Sequence, residues 1–387
     1  MTSQADGSSF SLTEGGPVYR LLRRLRIRTP DNNWVHAWLF AIAIWLPLVI
    51  GEGVRVGSGS PVDRIFLDLS MHVRCLFAIP MLLMAEGLLE STSRSSITSL
   101  YVGKFCDHAQ LDRIFARVER LRDLGTVEVV LLGLALLGGQ LVMWGLFGAT
   151  GLFHGGAQSW LWTFPRLWYA VVALPLFQFL LFRHLWRWLI WSYALARISR
   201  LPLAPLATHA DGAGGLACLA RPVNGFNGAV LASSAVLSGA WATQILRQRA
   251  MLSDLLPELV AFLLISLLMA VGPLLPFCGH LFRARRRGLA RYGDFMREYT
   301  LRFHAKWIEA SPDHRQPLGS PDIQSLQDLG RTYQMLSKTR VFVFSPRTLM
   351  TVWAVGFLPM VPLLATTWTT EELLRRIAET VLGGLPL

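Results

Sequence analysis

Charge is what this chain has least of. Only 16% of its 387 residues are Asp, Glu, Lys or Arg, against 52% that are hydrophobic, and mean hydropathy is +0.41. That ratio leaves too few polar side chains to cover a soluble domain and points to a membrane protein. Acids are the scarcer sign, 25 against 37 Lys and Arg, for a net charge of +12. In a soluble protein this excess would suggest nucleic acid; here the basic residues fall between apolar runs on alternate sides, so topology accounts for them and no nucleic-acid partner is expected.

Cysteine is equally sparse. Cys75, Cys106, Cys218 and Cys278 stand far apart, with no Cys-x-x-Cys and no zinc-like Cys/His spacing, so they read as reduced structural thiols. Gly-x-Ser-x-Gly and His-Glu-x-x-His are absent, and no His pair has the spacing for two haems across a membrane. No cofactor or metal is expected, and an enzyme is the least supported class. The first apolar core begins near residue 35 and no convincing small-residue cleavage site follows, so the first span is expected to remain as an anchor.

What the chain does have is apolar runs of membrane length. Seven are read, roughly at 35–50, 73–89, 127–147, from 167 towards Pro202, 226–245, 255–277 and 348–368. The expected fold class is all-α, a polytopic integral membrane bundle of about seven transmembrane helices with cytoplasmic amphipathic helices. Lys and Arg concentrate at 20–28, 94–122, 183–221 and 283–347, which puts the N-terminus in the cytoplasm and the C-terminus outside.

Between the spans lie helical stripes. Leu111, Ile114, Phe115, Val118 and Leu121 recur beside Arg113, Arg117, Arg120 and Arg122; Tyr292, Phe295, Tyr299, Phe303 and Trp307 form an aromatic stripe. Packing of these two stripes on each other is predicted. Ser320-Pro321-Asp322 reads as the capped start of a further helix, Thr126 as a cap for the third span, Pro61 as the start of a short helix, and 18–28 and 371–382 as amphipathic helices. Residues 1–16, rich in Ser, Gly and Thr, are predicted to be disordered. No repeat period and no inverted duplication is visible. The chain divides into a cytoplasmic tail with a basic helix (1–34), a four-span half (35–200), a glycine-rich cytoplasmic hinge (201–224) and a three-span half (225–387) with a cytoplasmic helical segment at 281–345.

The hinge holds the most distinctive stretch, Thr208-His209-Ala210-Asp211-Gly212-Ala213-Gly214-Gly215-Leu216. His209 and Asp211 could bind a cation, with the glycine amides accepting an anion. A structural reading competes: Thr208 caps a short helix with Asp211 at its third position, and Gly212, Gly214 and Gly215 allow a tight turn. No strand precedes the glycines, so a dinucleotide or phosphate loop is excluded. At His209 to Leu216, together with Asp322-Ile323-Gln324-Ser325-Leu326, the chain resembles a group of uncharacterised bacterial multi-pass membrane proteins. The resemblance implies the bacterial inner membrane and carries no mechanism.

The sharper candidates are charges inside spans. Glu86 lies ~20 Å and Arg183 ~24 Å into their spans from the same side, at 1.5 Å per residue. An unpaired charge at mid-membrane costs ~2.5–3.5 kcal/mol on insertion scales, so the two are predicted to pair, as a gate or ion-pathway element or as a fixed salt bridge. Arg74, Glu128, Gln140, Gln178 and His184 are read as residues satisfied near helix ends. Pro273 and Pro276 interrupt the sixth span, and the fifth is rich in small residues that let backbones approach. These features imply an oligomeric ion channel or transporter-like protein, with the bilayer, anionic lipid at its cytoplasmic face and further copies of itself as partners. The alternative is a non-transporting scaffold or signalling protein that recruits a cytoplasmic partner.

Overall fold

The computed structural model describes residues 10–16, 20, 24, 34–63, 65–147, 160–248, 250–309 and 321–364. The predicted helix at 18–28 apart from residues 20 and 24, the predicted helix at 371–382, Ser320, and the loop at 148–159 lie outside these. The described residues are helical with no strand: α1 (Trp34–Gly57), α2 (Leu69–Val102), α3 (His108–Arg122), α4 (Gly125–Phe147), α5 (160–198), α6 (Pro222–Gln248), α7 (Leu252–Val271), α8 (Cys278–Trp307), α9 (Pro321–Lys338) and α10 (Pro346–Phe357).

Five helices are long and apolar enough to cross a membrane: α1, α2, α5, α6 and the run Leu252–Trp307 that joins α7 to α8. A sixth is reached when α4 is taken with α3, from which it bends by 45°. The predicted seventh is broken, because Leu358–Met360 turns 3₁₀ between α10 and Val361–Leu364. Pro359 and Pro362 cannot donate to the helix ladder, which is the local reason for the break. Ser234 and Ser238 of α6 donate to the carbonyls of Gly356 (2.5 Å) and Pro359 (2.6 Å), so the broken stretch is satisfied by a neighbouring helix.

Prolines inside spans are handled by the same means elsewhere. Pro80 and Pro175 each follow a five-residue π-helical stretch, Arg74–Ala78 and Tyr169–Ala173. Each proline lacks an N–H and would press on the carbonyl four residues back; widening the turn removes the clash. The two π stretches meet, with Arg74 donating to the Tyr169 hydroxyl. Pro273 leaves the Met269 carbonyl without its helical donor, and the Trp188 indole N–H takes that place at 2.8 Å. Gly272–Phe277 is 3₁₀ as a result.

One helix contact meets the expectation of close backbone approach, and packing differs from expectation in two places. The small residues of α6 lie along α2, where a Cβ on Gly225 would fall 2.5 Å from the Leu89 Cα, so these backbones are in direct contact and the two predicted halves share an interface. The α3 stripe does not meet the aromatic stripe of α8. Leu111, Ile114, Phe115 and Val118 are buried in a core with Ile190, Trp191 and Ile198 of α5 and with Phe10 and Leu12. The aromatic stripe of α8 turns instead to α9, with Tyr299 donating to the Asp322 carbonyl and the Trp307 indole to the Asp322 carboxylate. Residues 10–16, expected to be disordered, supply that core: Phe10, Leu12 and Thr13 are buried. Two apolar side chains and two hydroxyls in a short polar tract were enough once Glu90 offered an acceptor.

Smaller starts also shift. α4 begins at Gly125, which places Thr126 inside its first turn, and α2 is capped by Asp68, whose carboxylate accepts from the Ser70 N–H, with no helix at Pro61. At this end of the bundle Glu52 accepts from Arg55 and from the Asp63 N–H, and Asp63 pairs with Arg166 at 2.5 Å.

Candidate functional site

The helices bring charged side chains together at one level of the bundle. Arg183 Nη1 of α5 donates to Glu86 Oε1 of α2 at 2.6 Å, and both are buried, 1% and 2% exposed. Glu128 of α4, placed at a helix end by its position in the sequence, is 5% exposed with Oε1 3.7 Å from Arg183 Nε. One turn along α5, Arg187 is 2% exposed, and its Nε and Nη1 have no hydrogen-bond partner among the described residues. Two guanidiniums and two carboxylates from three helices therefore form a neutral buried cluster. His184 stands beside it, with its Nδ1 3.0 Å from the Leu180 carbonyl. A carbonyl only accepts, so Nδ1 carries the proton and Nε2 is left as an acceptor.

Position along the helices explains the level. Glu86 is eight residues past the π stretch that ends at Ala78 and Arg183 ten past the one that ends at Ala173, or about 12 and 15 Å along their helices at 1.5 Å per residue. Arg187 is not singled out by pattern and Glu128 is read only as satisfied near a helix end, yet a signal exists. Arg183 and Arg187 are four apart on one helix face, and a second buried cation requires a second acid.

The cluster continues one turn along α2 to Glu90. Its Oε2 accepts from the Leu12 N–H (3.1 Å), the Thr13 N–H (2.9 Å) and the Thr13 hydroxyl (3.0 Å), and Oε1 from Arg94 at 3.0 Å. Gly16 lies against the Glu128 carboxylate. The N-terminal strap thus closes one end of the cluster.

The Thr208 to Leu216 stretch is built around Asp211. Thr208 caps no helix; residues 206–215 run as successive turns and a 3₁₀ helix, Leu216–Ala220, follows. Asp211 Oδ1 accepts from the N–H groups of Ala213 (2.8 Å) and Gly215 (2.9 Å), and Oδ2 from that of Ala217 (3.0 Å). His209 Nδ1 is 2.9 Å from Oδ1. Gathering three amides onto one carboxylate requires left-handed backbone, and Gly212, Gly214 and Gly215 have φ of 64°, 62° and 89°. At Gly215 a Cβ would fall 2.1 Å from the Phe105 ring. Arg340 ties the far side, its N–H donating to the Gly212 carbonyl and Nη2 to that of Asp211. His209 and Asp211 are thus adjacent, and most of the carboxylate's acceptor capacity is spent on the loop.

Burial raises the Asp211 pKa, but the three amides and His209 outweigh it and hold the carboxyl below its ordinary value. A depressed folded-state pKa contributes stability above the unfolded value and loses it as pH falls through the folded one, so the loop holds fully at neutral pH and loosens in acid. Asp211→Ala is expected to cost about 1–3 kcal/mol, because amides turned inward lose their acceptor. Asp211→Asn, which keeps one acceptor oxygen, is expected to cost less. Thermal unfolding in detergent checks the order; equal losses would mean that the charge, and not the accepting oxygens, holds the loop.

Glu86 and Arg183, and His209 and Asp211, thus form two separate groupings, on the spans and on the loop. Pro273 and Pro276 lie in the 3₁₀ junction between α7 and α8. When the chain is compared with protein-family models, curated proteins and solved structures, nothing matches it.

Proposed function

We propose that this is an oligomeric ion channel or transporter-like protein of the bacterial inner membrane, with the Glu86, Arg183 and Glu128 cluster as its gate. The observation that supports it is a neutral group of two cations and two carboxylates buried among apolar helices, two to three helical turns along α2 and α5 from two π-helical stretches that touch each other. Each such charge costs ~2.5–3.5 kcal/mol to insert, and intramembrane charges are typically kept for ion pathways and relays. Arg183 has one carboxylate at 2.6 Å and a second at 3.7 Å. A shift of its grip from Glu86 to Glu128 is the two-state element of this reading, and α5 can move past α2 at the π stretches, where the helical ladder is already relaxed. The distribution of basic segments supports a cytoplasmic N-terminus and an outer C-terminus in this reading, with His209 and Asp211 near the inner mouth. The motif resemblance supplies the bacterial setting.

Reconstitution in liposomes is the test. Ion flux above that of empty vesicles, changed by Glu86→Gln, is expected; flux equal to empty vesicles across several ions and pH values would overturn the reading. A scaffold is the second reading, favoured by the α8–α9 hairpin, which carries exposed Phe295, Leu301, Ile308 and Ile323. Deleting 281–345 should then remove partners in a pull-down, whereas a pore would keep them.

A further inference from the structure

Residues 202–208, which lead into the loop held by Asp211, form one wall of a cleft of about 600 Å³ whose other wall is the first part of α8. That volume lies in the range of small-molecule sites, roughly 300–1,000 Å³. Arg283, Arg287 and Arg291 line it, at i, i+4 and i+8 on one helix face and so spread over about 12 Å. All three are exposed. His280, Thr208 and Tyr292 complete the polar lining, and no acid is among the lining residues. The sequence from Cys278 to Gly293 contains five arginines, no lysine and no acid.

Inward-facing topology asks only for positive charge, which Lys supplies as well as Arg. Three arginines in register, facing a wall that carries no neutralising carboxylate, ask for something more. Guanidinium forks match phosphate oxygens two at a time, and an exposed row of them repels itself until an anion bridges it. The opposite wall, 202–208, is fixed rather than loose: the Ala204 N–H donates to the Phe105 carbonyl, the Leu206 N–H to that of Gly214, and Thr339 Oγ1 to that of Ala207. Gly288 meets Ala207 across the cleft floor, where a Cβ would come within 3.0 Å of the alanine Cβ.

We propose that this cleft binds a phosphate-bearing anion, with Arg283, Arg287 and Arg291 as its ligands and the 202–208 segment as the wall that sets its width. The phosphate belongs either to a phospholipid headgroup, since α8 continues directly from a membrane-length apolar helix, or to a soluble phosphate compound. The proposal does not depend on transport; a protein that moves no ion would still bind phosphate here.

The test uses the full chain in nanodiscs of phosphatidylcholine. Pyrophosphate binding is measured by calorimetry, and thermal stabilisation is followed as phosphatidylglycerol replaces part of the phosphatidylcholine. The cleft variant carries Arg283→Gln, Arg287→Gln and Arg291→Gln; a control loses the same charge from α8 outside the cleft, at Arg286, Arg297 and Arg302. At least a ten-fold weaker response is expected in the cleft variant than in the wild type or the control. A pyrophosphate response in phosphatidylcholine discs identifies a soluble ligand, and a response to phosphatidylglycerol alone identifies a headgroup. Equal losses in the two variants, or no response of the wild type to either probe, would overturn the proposal. Should the triple variant fail to fold, Arg287→Gln against Arg286→Gln makes the same comparison.

Discussion

Glu86→Gln and Arg183→Gln are each expected to destabilise the protein by about 3–5 kcal/mol, and the double variant by clearly less than the sum. The reason is the charge count of the cluster. With Glu86 neutral, Arg183 and Arg187 face Glu128 alone; with Arg183 neutral, Glu86 and Glu128 face Arg187 alone. Either change leaves one uncompensated charge where water does not reach. The double change restores balance, with Glu128 left to Arg187, and should show a coupling of roughly 0.5–3 kcal/mol in a double-mutant cycle. Thermal or denaturant unfolding in detergent measures it. Additive losses, with no coupling between the two changes, would mean that the two side chains do not act as a pair.

The second large effect is expected at Gly225. In an open helical position Gly→Ala is stabilising by up to about 1 kcal/mol, since alanine loses less backbone freedom. At Gly225 the added Cβ would fall 2.5 Å from the Leu89 Cα and 2.9 Å from its N, and a backbone cannot rotate aside as a side chain can. α2 and α6 would have to separate, at a cost of about 1–3 kcal/mol for overpacking, and Glu86 and Glu90 move with α2. Gly225→Ala should therefore lower thermal stability, whereas Gly133→Ala on α4, where a Cβ would meet nothing within 4 Å, should leave it unchanged or raised. A Gly225→Ala protein as stable as wild type would show that these helices are not in backbone contact.

Period and composition were enough for the helices themselves, because an apolar run of 18 or more residues has few other fates and the stripes at 111–121 and 292–307 repeat at the helical period. The Glu86–Arg183 pair was legible too, for depth along a straight helix follows from counting residues. Partners were harder. Nothing in the α3 stripe says whether α8 or the α5 face and the 10–16 strap will cover it, since any apolar face of the right width serves. Glu128 was misplaced for a related reason: three residues into α4 it looks like an interface acid, and only the 45° bend from α3 turns it towards Arg183.

By itself, then, the sequence determined that this is an all-helical chain with helices fit to cross a membrane, with two opposite charges at matching depth and a glycine-rich loop that has to turn sharply. These are local or one-dimensional properties: hydropathy, period, distance along an axis, and the conformations a residue can adopt. The tertiary structure decided how many charges share the buried site, that the N-terminal strap closes it, that the prolines are absorbed by π stretches and by Trp188, and that the arginines of α8 line a cleft against residues 202–208. Each of these depends on which faces meet across helices far apart in the chain, and an apolar stripe or a row of arginines fits several partners equally well until packing selects one.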